Sequence, residues 1–209
     1  MNGLAHRGRI YHGAVTDTAP EPEIRASWTR RVLRAADELP EGIGPEIRRR
    51  VPPAILSRLE QAGPLAWLPG EVHATVIQSV HDSIGDARYA EMVRAMTLDG
   101  LNRPLFGPLA RGAVGLFGRS AAGLERMFPR GWGLVSRGCG KIEMTESRRG
   151  HAVMDLVGVP VVLRRMAYAL GFKGAFDACS DFAGTGGRSE MDAAGLADGR
   201  VRYVLHWEE

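Results

Sequence analysis

The stretch KIEMTESRRGHAVMDLV, residues 141–157, decides the fold class. Ile142 and Met144 alternate with polar neighbours, Ser147-Arg148-Arg149-Gly150 has the composition of a turn, and His151–Val157 reads as a second strand. Trp132 and Leu134 extend the alternation upstream, with Gly138 and Gly140 placed for a bulge or bend. Downstream, Pro160 opens a helix carrying Val162, Leu163, Met166, Leu170 and Phe172. The loop Gly184-Thr185-Gly186-Gly187 then leads to a strand over residues 189–193. Asp198-Gly199 supplies hairpin chemistry before Val201, Tyr203, Leu205 and Trp207, which alternate in a last strand. Strand, strand, helix, strand, strand is the expected order.

Before residue 131 the period is helical. Ile24, Trp28, Val32, Ala36 and Leu39 recur three or four apart, and Pro40 and Gly42 close that helix. Pro52-Pro53 opens a short helix whose inner side is Ile55, Leu56 and Leu59. Val72, Val76, Val80 and Ile84 mark the next helix; Gly85 ends it, and Asp86 caps a further one with Tyr89, Met92, Val93 and Met96 inward. Residues 104–128 are apolar and helical in spacing, with Pro104 and Pro108 allowing a joint. The expected class is α+β: an N-terminal helical part (22–130) followed by a ββαββ antiparallel sheet unit (131–209) in one domain. Residues 1–21 read as a flexible N-terminal arm in which Ile10, Tyr11 and Val15 are a candidate edge strand.

Composition narrows the function. The 209 residues are 44% hydrophobic and 24% charged, with a net charge of +3. The charge is evenly distributed, and Arg48-Arg49-Arg50 sits near Glu46, which argues against nucleic acid as a partner. All basic residues but Lys141 and Lys173 are Arg, a skew expected of a GC-rich genome. No apolar run is long enough to span a bilayer, and the N-terminal residues lack a secretory apolar segment. With two cysteines, Cys139 and Cys179, reduced thiols and a cytoplasmic location are expected.

No catalytic or metal signature stands out. His73 and His81 lie eight apart, whereas a helical zinc pair needs three or four. Ser120 misses a nucleophile elbow by one residue, and the Gly184–187 loop lacks the lysine and following helix of a phosphate cradle. Arg137 and Lys141 flank Cys139 and would activate its thiol if they shared its face. Gly107, Gly112, Gly115, Gly118 and Gly123 interrupt the 104–128 region, each at about 1 kcal/mol in a helix interior. That cost marks a close approach, by another element or by a ligand in an apolar cavity.

The order of elements resembles the heme–nitric-oxide-binding (H-NOX), vinyl-4-reductase and TRAPP-like ligand-binding domains, and more closely a domain family found mainly in myxobacteria. The residues that carry the resemblance are Trp67-Leu68-Pro69, Leu105-Phe106-Gly107-Pro108-Leu109, Phe128-Pro129-Arg130-Gly131-Trp132 and Tyr203-Val204-Leu205-His206-Trp207, across residues 50–209. It implies a pocket between helices and sheet, which in relatives holds heme, a lipid chain or a tetrapyrrole. Two H-NOX determinants are missing. Residues 104–131 hold no histidine, and Asp155-Leu156-Val157-Gly158-Val159-Pro160 stands where a Tyr-x-Ser-x-Arg propionate motif would be.

The reading is a non-enzymatic sensor or adaptor domain, bacterial and signalling, binding an apolar small molecule or a protein partner. Its pocket residues are Phe106, Leu109, Gly112, Leu116, Phe117, Trp132 and Met166. No motif identifies a cofactor, heme and metal included. Two alternatives remain: an enzyme for a small hydrophobic substrate, using His151, Cys139 and Glu143, or an atypical heme or tetrapyrrole binder using His73 or His81. A homodimer through the helices between Trp67 and Phe128 is expected.

Overall fold

The computed structural model describes residues 21–103, 107–108, 112 and 121–208. The expected arm and its edge strand, residues 1–20, lie outside the described residues.

Six helices fall among the described residues: α1 (Ala26–Asp37), α2 (Ile43–Arg50), α3 (Pro53–Gln61), α4 (Gly70–Leu101), α5 (Ala121–Gly133) and α6 (Met166–Ala183). Pro53 sits in the first turn of α3, where its missing N–H costs nothing. The Arg48–50 run ends α2; Arg48 is bound to Asp37 at 2.7 Å and Arg50 to Glu46 at 2.8 Å, a solvated face closed on its own carboxylates.

The helical span α4 is interrupted at Gly85, whose φ of 77° and ψ of 172° belong to a region only glycine enters freely. In a straight helix the residues from His73 to Met96 would span about 34 Å. Yet Thr29 and Arg31, two residues apart on α1, reach both His73 and Met96: the Thr29 hydroxyl lies 3.0 Å from His73 Nδ1, and Arg31 donates to the Met96 carbonyl at 2.8 Å. The second half of α4 therefore folds back beside the first, and His81 meets Tyr89 edge-on across the break at 5.7 Å. The helix boundary expected at Gly85 has become a reversal that brings the levels of His73 and Thr97 together.

The strands are β1 (Glu23–Arg25), β2 (Trp67–Pro69), β3 (Ser136–Arg137), β4 (Lys141–Arg148), β5 (His151–Val157), β6 (Arg188–Asp192) and β7 (Val201–His206). The last four form an antiparallel sheet in the order β4-β5-β7-β6, with α6 as the connection between β5 and β6. Register pairs Met144 with Met154 and Met154 with Tyr203, so one face is apolar; the other carries the Asp155–Arg202 pair at 2.8 Å. The apolar face rests on α6, where Phe176 meets Tyr203 at 5.1 Å and the Tyr203 hydroxyl donates to the Ala169 carbonyl. This is the expected ββαββ unit behind a helical part.

Three details differ from expectation. The helix expected from Pro160 begins at Met166, after a single short turn over Val161–Leu163. Trp132 is helical, in the last turn of α5, and Leu134 lies in the turn after it. Their two-residue spacing mimics a strand, but the chain becomes extended only at Ser136. Ile24 is a strand residue, in β1 ahead of α1. There β1 joins β2 and β3 into a second sheet, in which Arg25 and Arg137 both stack on Trp67 at 4.0 Å from its ring centre. One hydrophobic core runs from α1 through α4 and α6 to the sheet.

The helices α4 and α6 approach closely at Gly174. A methyl group there would come within 2.4 Å of the Ala90 carbonyl oxygen and 3.0 Å of the Arg94 backbone nitrogen. Backbone cannot yield as a side chain can, so Gly174→Ala forces the helices apart. A loss of about 1–3 kcal/mol is expected despite the better helix propensity. Chemical denaturation measures it; a gain in stability would contradict the close approach.

Candidate functional site

Beneath this packing lies an apolar cavity of about 110 Å³. Its described walls come from α1 (Trp28, Val32), both halves of α4 (His73, Ile77, Tyr89, Val93, Met96, Thr97), α5 (Phe128, Trp132) and α6 (Tyr168, Phe172, Ala175, Cys179). No described residue of the four-stranded sheet borders it. The pocket expected between helices and sheet lies instead among the helices, because α6 covers the sheet with its Phe176 side and turns Phe172 and Ala175 the other way.

Aromatic rings set the shape of the wall. Phe128 packs on Phe176 at 4.8 Å and Trp132 on Phe172 at 5.1 Å, while Trp28 meets Trp132 edge-on at 6.3 Å. The Tyr168 hydroxyl leaves the cavity by donating to the Cys139 carbonyl at 2.7 Å. Gly171 keeps the α6 wall low: a Cβ there would meet only the Tyr89 hydroxyl, at 3.8 Å.

Polar groups on the wall are few. Among its described residues none carries Asp, Glu, Lys or Arg. His73 is 4% exposed, and burial lowers its pKa from 6.5 to about 3, so the ring is neutral near pH 7. Burial likewise raises the Tyr89 pKa above its usual range. The Thr97 hydroxyl and Trp132 Nε1 are enclosed, with no hydrogen-bond partner among the described residues.

Of the residues expected at the pocket, Trp132 lies on the cavity wall. Met166 is 36% exposed at the start of α6 and is not on the cavity wall, although its neighbours Ala167 and Tyr168 are. Gly112 is exposed with open space around it. Phe106, Leu109, Leu116 and Phe117 lie outside the described residues. Sequence reasoning missed Trp28, His73 and Thr97 as wall residues. His73 was weighed as a zinc ligand and as a heme or tetrapyrrole ligand, and no periodicity separates a cavity wall from core.

The catalytic grouping of His151, Cys139 and Glu143 is not assembled. Glu143 pairs in register with Asp155, four residues and about 13 Å along β5 from His151. Cys139 and Glu143 do border one hollow, but Cys139 is 1% exposed and donates to the Arg137 carbonyl at 3.1 Å. Burial pushes its thiol up to about 11, opposite to the activation that Arg137 and Lys141 would give. His81 lies off the cavity, bound to Asp86 at 2.7 Å. No group of three potential metal ligands occurs among the described residues.

The expected dimer surface, the helices between Trp67 and Phe128, falls in part outside the described residues. The exposed large hydrophobic residues among those described are Leu65, Leu134, Val161 and Met166, none of them between Trp67 and Phe128. No helix among the described residues is long and apolar enough to cross a membrane.

No protein-family model matches the chain. No curated protein matches it. Solved structures do. The Fe(II) unliganded H-NOX protein from K. algicida superposes with a TM-score of 0.62 at 7% identity, over 89% of this chain and 97% of that one. A mutant of the T. Tengcongensis H-NOX gives 0.60 at 14% identity, over 89% and 98%. A Cs H-NOX carrying 4-cyano-L-phenylalanine gives 0.63 at 13%, over 89% and 97%. At such identities the shared property is the fold, and this chain has a distant H-NOX-like fold.

The fold raises the question of heme, and the described residues do not fit it. A cavity of about 110 Å³ is well below the roughly 300 Å³ at which pockets for larger organic ligands begin. The described wall offers no cation for propionates.

Proposed function

We propose that this chain is a non-enzymatic sensor or adaptor domain that takes a small apolar molecule into the cavity between α1, α4, α5 and α6. One observation carries the reading: an apolar space among close-packed helices, walled by Trp28, Phe128, Trp132 and Phe172 and lacking any charged group among its described residues. Interiors are normally filled to crystal density, so a cavity this large sacrifices dispersion contacts that a ligand restores. The Gly85 reversal forms one wall and α6, seated on the sheet, forms another. A ligand that tightens α4 against α6 can therefore bias the sheet it rests on.

Benzene is the simplest probe. The wild-type melting temperature is expected to rise saturably with benzene, because a ligand that binds only the folded state stabilises it by mass action. Gly171→Leu fills the cavity from the open side of α6. The variant is expected to keep its fold and to lose the benzene response. Absence of a wild-type shift, or an undiminished shift in the variant, overturns the proposal. Added hemin is expected to give no saturable Soret shift. A shift abolished by His73→Ala would replace this reading with the heme one.

A further inference from the structure

Four buried side-chain polar atoms among the described residues lack a hydrogen-bond partner: His81 Nδ1, Thr97 Oγ1, Trp132 Nε1 and Trp207 Nε1. Two of the four, Thr97 and Trp132, belong to residues on the wall of one cavity, and Trp132 also borders the hollow beside Cys139 and Glu143. An unmet buried donor costs about 1–3 kcal/mol, and folded proteins leave few of them. A threonine in a helix ordinarily returns its hydroxyl to the carbonyl one turn earlier, as Ser79 does to Thr75 and Ser83 to Ser79 in this same α4. Thr97 does not. Trp132 sits in α5 with its ring fixed by Trp28, Tyr168 and Phe172, so its N–H has little freedom to seek a protein acceptor.

We propose that the occupant is a compact, neutral, largely hydrocarbon molecule carrying one hydrogen-bond-accepting oxygen. Trp132 Nε1 recognises that oxygen, supported by the Thr97 hydroxyl. This rests on the reading of the cavity as a ligand site and specifies its chemistry. Indole nitrogen is a donor only, so its partner must accept. The described wall has no ion to pair with a charged ligand, and burying an unpaired charge is prohibitively costly. Size follows from volume: an apolar cavity of roughly 150 Å³ accommodates benzene. About 110 Å³ therefore suits a single ring of six or seven heavy atoms with modest relaxation.

Cyclohexanone and methylenecyclohexane test this, because they share a shape and differ in C=O against C=CH₂. Calorimetric titration of the full chain gives a Kd for each, and the ratio of alkene to ketone Kd measures recognition of the oxygen. Comparing that ratio between proteins cancels the unequal hydration of the two probes. In Trp132→Phe the ratio is expected to fall about tenfold, one hydrogen bond's worth. In Thr97→Val, which keeps the shape, it is expected to fall severalfold. Thr97→Val alone decides the matter if Trp132→Phe fails to fold. If both probes bind and neither variant changes the ratio, oxygen recognition is overturned while the cavity reading stands. If neither probe binds the wild type at its solubility limit, the cavity reading falls, and this proposal with it.

Discussion

Asp177→Ala is expected to lower the unfolding free energy by about 2–4 kcal/mol, whereas Asp177→Asn should cost only about 1 kcal/mol. Asp177 is 5% exposed on α6, and its Oδ1 accepts from the Ser189 backbone N–H at 2.7 Å and the Ser189 hydroxyl at 2.6 Å. Its Oδ2 accepts from Lys173 at 2.9 Å. Ser189 is itself buried, 4% exposed in β6, so removing the carboxylate strands its backbone N–H where water cannot reach and leaves its hydroxyl only the Lys173 carbonyl, at 3.3 Å. Lys173 is partly exposed and can turn to solvent, so losing its ion pair alone matters little. Asparagine keeps an oxygen for Ser189 and discards only the charge. Urea unfolding of the two variants separates these contributions; equal losses would mean that the ion pair, not the Ser189 bonds, ties α6 to β6.

That tie shows what the sequence could and could not reveal. The turn before His151 gave β5 its true limits, although β5 is buried on both faces, and β6, which alternates buried with exposed, was placed within a residue. The turn at Gly150 and the hairpin residue Gly199 were legible from residue type, and both have positive φ. The second sheet was illegible. Its strands are two or three residues long, too short for any period, and β1 pairs with β3 across more than a hundred residues of sequence. Trp132 was misread for the complementary reason: two apolar residues spaced by two satisfy a strand as well as the end of a helix.

The site divides the same way. Trp132 was singled out, as an aromatic at the junction of helix and strand. Tyr89, Val93 and Met96 were read as inward-facing, and they do face inward, onto the cavity. Whether an inward face meets another side chain or empty space depends on how helices stack. Here that is decided by one dihedral pair at Gly85 and by missing side chains at Gly171 and Gly174. Glycine in a sequence signals proximity without saying to what.

Acid should destabilise the fold through His73. The ring is buried and neutral, with its pKa lowered by burial from 6.5 to about 3. Between those values the unfolded chain binds a proton that the folded chain does not, so stability falls as pH falls. The slope is about 1.4 kcal/mol per pH unit, which amounts to roughly 3 kcal/mol at two units below pH 6.5. Above pH 6.5 the effect is absent, and below about pH 3 both states are protonated and it levels off. Carboxylates add their own acid loss: Arg202 holds Asp155, and Arg94 and Arg188 hold Asp181, below the usual carboxylate range. Those contributions are present above the ordinary 3.8 and disappear as pH falls below it, so the interval from pH 4 to 6.5 lies above their window. His73→Asn keeps a polar atom near the Thr29 hydroxyl and cannot titrate. It is expected to be less stable than the wild type at pH 7, and the difference should shrink by about 1.4 kcal/mol for each unit of acidification. Denaturant midpoints at half-unit steps measure it. Parallel wild-type and variant curves would mean that the folded protein protonates His73 without cost, and that the cavity is wet.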